Sequence, residues 1–137
     1  MKKLALLIVF LATVSITAQD AIGVTVSVTI ENVLSDKGTI IAGLHTAETF
    51  MKAPGVVNTT APAKVGSTTL KFDNITPGTY AVMVIHDAND NKQMDMLNGM
   101  PQESYGNSGE MNLYGPPMFD SSKFEVTTEN KEINIRF

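Results

Sequence analysis

Val24-Thr-Val-Ser-Val-Thr-Ile-Glu31 sets a β-branched apolar residue at every second position with a polar one between each pair. Side chains on a strand point to opposite faces in turn, so this period of two predicts a half-buried β-strand. Ser35-Asp-Lys-Gly38 then supplies turn chemistry, and Thr39-Ile-Ile-Ala-Gly-Leu-His45 returns as a second strand, which predicts a hairpin. Residues 48 to 66 include Pro54, Gly55 and Pro62 with little periodicity, and read as a crossover loop with room for one helical turn near Phe50. Thr68-Thr-Leu-Lys-Phe-Asp73 alternates again, with Leu70 and Phe72 on one face, and Asn74-Ile-Thr-Pro-Gly78 breaks it as a tight turn.

Tyr80-Ala-Val-Met-Val-Ile-His86 is apolar on both faces, the pattern of a central strand covered on each side. Near the end of the chain, Lys123-Phe-Glu-Val-Thr-Thr128 and Glu132-Ile-Asn-Ile-Arg-Phe137 are expected to pair around Glu129-Asn-Lys131. Phe124, Val126, Ile133, Ile135 and Phe137 would then face inward. Six or seven short strands and no convincing amphipathic helix predict an all-β chain, a single antiparallel β-sandwich. Residues 87 to 120 interrupt the pattern as one long irregular loop. Loops of that length are usually functional or held in place by something.

Composition narrows the setting. A basic start at Lys2 and Lys3, an apolar stretch over residues 4 to 14 and the ending Ser15-Ile-Thr-Ala18 predict a signal peptide at residues 1–18, a secreted or periplasmic destination and a single domain at residues 19–137. The apolar run is too short to span a bilayer, and no second one follows, so no membrane span is expected after cleavage. The chain has no cysteine, which excludes disulfides and thiolate metal sites. Its formal charge of -4 becomes -6 once Lys2 and Lys3 are removed, an acidic balance that argues against nucleic acid as a partner. An envelope or extracellular ligand is left as the partner class.

The chemistry-bearing stretch is Asp87-Ala-Asn-Asp-Asn-Lys-Gln-Met-Asp95. Asp87, Asn89, Asn91 and Asp95 occupy positions 1, 3, 5 and 9 of a calcium-type loop, and the Gln93 carbonyl stands at position 7. Hard cations take six to eight oxygens, and this spacing lets side-chain oxygens converge. Lys92 replaces the turn glycine at position 6 and Asn98 replaces the glutamate at position 12, so Glu103 is the expected closing carboxylate. Without an ion the same residues make an ordinary polar loop, since Asp and Asn favour turns.

Two alternatives stand beside calcium. Met94, Met96, Met100, Met111 and Met118 cluster in the long segment and, with His86 or His45, would suit Cu(I) in a periplasmic copper-binding protein; as plain apolar filler they would instead anchor the loop on the core. Asp87, Glu103 and His86 would serve a small hydrolase of carbohydrate or ester substrates only if they met in one cleft. Gly106-Asn-Ser-Gly109 is no nucleophile elbow. A non-enzymatic module is therefore the leading expectation. Tyr105, Tyr114, Pro116, Pro117 and Phe119 are expected to pin the loop onto a sheet face, with a partner-binding surface as the other reading.

Several landmarks in fixed order resemble an exported bacterial family known as domain of unknown function 2141. They are Phe72-Asp-Asn-Ile-Thr-Pro-Gly-Thr-Tyr-Ala-Val82, His86-Asp-Ala-Asn-Asp-Asn91 with Asp95, Gly99-Met-Pro-Gln-Glu103, Tyr105-Gly106 and Gly115-Pro-Pro-Met-Phe119. The family pattern has glycine after the second asparagine, where this chain has Lys92. The resemblance implies a prealbumin-like β-sandwich, export, and no assigned activity.

Overall fold

A computed structural model describes residues 23–112 and 114–137. The expected signal peptide lies outside the described residues. The strands are β1 Val24–Val33, β2 Thr39–His45, β3 Val57–Pro62, β4 Gly66–Ile75, β5 Gly78–Asp87, β6 Met96–Leu97, β7 Met100–Pro101, β8 Tyr105–Asn107, β9 Phe124–Val126 and β10 Lys131–Arg136, with one four-residue helix, α1 Phe119–Ser122. They form an all-β sandwich. One sheet runs β10-β1-β4, and the other runs β3-β2-β5-β8 with β9 also on β5.

Alternation places the core. Val26, Val28 and Ile30 of β1, with Leu70 and Phe72 of β4 and Ile135 of β10, meet Ile40, Ala42 and Leu44 of β2 and Val82 and Val84 of β5 in one buried cluster. Every second residue of each strand thus leaves water, and each such burial of a valine, leucine or isoleucine contributes about 1.5–3 kcal/mol. β5 is central, as its two-faced apolar pattern implies, because β2 lies on one side and β8 and β9 on the other.

Three sequence expectations change. The β1–β2 hairpin does not form: β1 has β4 and β10 as neighbours, and β2 has β3 and β5, so the turn around residues 35–38 carries the chain from one sheet to the other. Turn chemistry reverses a chain without selecting its hydrogen-bonding partner. β9 and β10 likewise do not pair; β9 binds the start of β5, while β10 runs parallel to β1 with Val28 opposite Ile133 and Ile30 opposite Ile135. The sandwich is therefore not purely antiparallel. Asn130 marks the crossing, where its Oδ1 accepts the Thr25 N–H at 2.9 Å. Finally, the stretch read as a loop contains β3, which pairs with β2 from Thr39–Pro62 to Leu44–Val57. Its sequence, Val57-Asn-Thr-Thr-Ala-Pro62, has few bulky apolar residues and is exposed at alternate positions, as suits an edge strand. The helical turn near Phe50 is present, with Phe50 N–H donating to the Thr46 carbonyl.

Candidate functional site

β5 ends at Asp87, and the backbone turns there because this side chain captures it. Asp87 is 1% exposed; Oδ1 accepts the N–H of Asn91 at 3.1 Å and Oδ2 that of Lys92 at 2.7 Å. Two further side-chain turns follow, Asn89 Oδ1 accepting from Asn91 N and Asn91 Oδ1 from Gln93 N. Such bonds to the backbone two residues on are the means by which Asn and Asp fold turns. Asp90 and Lys92 take left-handed φ values of 59° and 63°. Lys92 thus adopts the backbone geometry for which position 6 of a calcium loop ordinarily uses glycine. Asp90 is tied down by Thr39 Oγ1, which donates to its Oδ1 at 2.7 Å.

Three of the four spaced side chains converge, while Asp87 is taken up by backbone amides. Asn89 Nδ2 donates to Asp95 Oδ2 at 2.6 Å and Asn91 Nδ2 to Asp95 Oδ1 at 2.8 Å. Glu103 spans the loop from behind, with Oε1 accepting from Ala88 N and Oε2 from Asp95 N. Gln93 lies exposed and enters through its backbone N–H. Among the described residues no three His, Asp or Glu side chains make a ready metal centre; what the loop gathers is a mixed carboxylate and amide set. In this arrangement the Asn89 and Asn91 amide N–H groups face the Asp95 carboxylate and their oxygens accept backbone N–H groups, each oxygen keeping a second lone pair.

Described as an uncharacterised protein conserved in bacteria, the family model of domain of unknown function 2141 matches residues 28–134. The chain belongs to this family. The match runs from β1 to β10 and takes in both sheets and the whole 87–120 excursion. No curated protein and no solved structure matches the chain.

In this family member the other candidate sets do not assemble. His86 points away from the loop, its Nε2 bonded to the Lys37 carbonyl at 2.7 Å and its ring stacked on Phe137 at 6.4 Å. Asp87 and Glu103 both accept from backbone amides, and none of the three groups of the hydrolase reading lines either of the two methionine-lined cavities. Of the five methionines proposed for copper, Met94 and Met96 line a cavity on the outer sheet face, while Met111 and Met118 border a separate shallow depression. Tyr105, Pro116 and Pro117 line that same cavity, Phe119 packs edge-on to Phe50, and Tyr114 is 98% exposed and pins nothing.

Sequence reasoning missed the polar clamp that anchors the far half of the excursion. Ser108 Oγ accepts the Val82 N–H at 2.8 Å and donates to the Ser122 carbonyl at 2.6 Å, and Asn107 Nδ2 donates to Ser122 Oγ. All three residues are buried. Short polar side chains in a Gly-Asn-Ser-Gly run carry no signal that distinguishes a buried clamp from a solvated turn. His45 was also unread as a structural group: it lies edge-on to Phe50 at 5.9 Å with Nδ1 buried and unpartnered. Burial pushes its imidazole below the ordinary value of 6.5, against a smaller opposing effect of the Thr49 backbone.

Proposed function

We propose that the protein is an exported, non-enzymatic binding module of the cell envelope whose 87–103 segment is a calcium-type loop. The observation that carries this reading is Lys92 at φ 63° with Asp87 accepting the N–H groups of residues 91 and 92. A lysine accepts left-handed geometry at a steric cost that glycine does not have, so its presence there argues that the turn is required by the loop. Asn89, Asn91 and Asp95 would supply side-chain oxygens, Gln93 its carbonyl, and Asp87 and Glu103 the charge and framework around the ion. The ion's role would be to cross-link the start of the excursion and lend stability to the folded state alone. Export is supported by the leader-like composition of residues 1–18.

Calorimetric titration with calcium tests this. One site is expected in the natural protein, tighter binding in Lys92→Gly, where the strain and one positive charge are both removed, and loss of the site in Asp95→Asn. Equal heats in all three proteins would end the calcium reading.

A further inference from the structure

On the outer face of the five-stranded sheet β5 presents Met83 and Ile85, and the excursion covers this patch without filling the space beneath. Met83 and Ile85 of β5 form the floor of a cavity of about 530 Å³, with Met94, Met96, Tyr105 and Pro117 around it. This volume lies in the range of small-molecule sites, which are concave and mostly apolar. We propose that the cavity binds an uncharged, apolar small molecule with an aromatic or polyunsaturated body.

Three features select that chemistry. Among the described residues no charged side chain lines the cavity, so an ionised ligand would leave water without gaining a counter-charge from them. Methionines on floor and wall offer polarisable sulfur, which makes favourable contacts with aromatic rings and adjusts its shape through unbranched rotamers. The rim is itself unsatisfied: Met96 is 55% exposed and Met51, also lining the cavity, 53%, apolar area that an occupant would withdraw from water. The wall is fastened within the loop. Met94 and Met96 flank Asp95, whose backbone and side chain are both hydrogen-bonded, so the wall is held in place rather than draped. The proposal rests on the cavity and is independent of the calcium reading.

The test is a titration of the purified protein with N-phenyl-1-naphthylamine, a neutral aromatic probe, with chelator present throughout so that calcium plays no part. Saturable one-to-one binding with enhanced fluorescence is expected. Met83→Glu should abolish it. Because a charge on the floor can also unfold the sheet, Met96→Glu at the half-exposed rim is the second variant. It should keep the natural melting temperature and weaken binding about tenfold or more, since the charge would sit against an apolar ligand. Leu34→Glu, at an exposed position outside the cavity lining, should bind as the natural protein does. No saturable binding, or equal affinity in Met96→Glu and Leu34→Glu, would overturn the proposal. So would stoichiometric Cu(I) binding that Met96→Glu removes while the probe never binds, or a dimer in light scattering that excludes the probe.

Discussion

Asp87 has two tasks, ending β5 and folding the turn after it, and both run through backbone amides rather than through side-chain partners. With 1% of the residue exposed, its loss would leave the N–H groups of Asn91 and Lys92 without their acceptor. Asp87→Ala should therefore destabilise the protein by about 2–4 kcal/mol, measured by urea unfolding, because hydrogen bonds to a buried charged group are costly to remove. A change under about 0.5 kcal/mol, the size of an ordinary surface substitution, would show that the loop does not depend on it. Spacing in the sequence singled out this residue and its three companions as candidates, since alternate oxygen-bearing side chains after an apolar strand are a local signal. It did not identify the division of labour. Whether a carboxylate faces a backbone amide or a neighbouring amide side chain depends on the path of the turn, and the left-handed Lys92 could not be read from a lysine. His45 yields a second prediction at this scale. Its folded value is lowered by burial, so the unfolded chain binds a proton more readily, and the stability linked to this group is complete above about pH 6.5 and declines as pH falls toward the folded value. His45→Phe should flatten that part of the pH–stability curve; an unchanged slope would assign it to other groups.

At the scale of elements, alternation located β1, β4, β9 and β10, because one buried face imposes a period of two, and a run apolar on both faces located β5. It could not say who pairs with whom. β10 lies parallel to β1 through contacts more than a hundred residues apart in sequence, such as Val26 with Lys131, and nothing local in either strand records that choice. β3 escaped notice for the opposite reason, since an edge strand with one lightly buried face has little hydrophobic pattern to show. The excursion divides into two independently fastened halves, the first by the Asp87 loop and Glu103, the second by the clamp of Asn107, Ser108 and Ser122 onto Val82. Ser108→Ala should accordingly raise amide hydrogen exchange in β8 and α1 while residues 87–103 keep their protection. Faster exchange across both halves would mean that the excursion opens as one unit.

For the whole molecule, the sandwich supplies a rigid central strand, and β5 carries a different device at each point along it: core on the inner face, an apolar cavity on the outer face, the polar clamp at Val82 and the Asp87 loop at its end. The sandwich class followed from short strands and the lack of a convincing amphipathic helix, and the absence of cysteine leaves packing as the source of stability. The cavity did not, because Met51, Met83 and Met96 come from distant parts of the chain and meet only after the sheet is built. If the Asp87 loop is a cation site, its free energy of binding is shared by the entire cooperative fold. Thermal unfolding of the natural protein in millimolar calcium, against the same protein in chelator, reads that linkage directly. The melting temperature is expected to rise by several degrees in calcium; superimposable transitions under the two conditions would rule out a cation at the Asp87 loop.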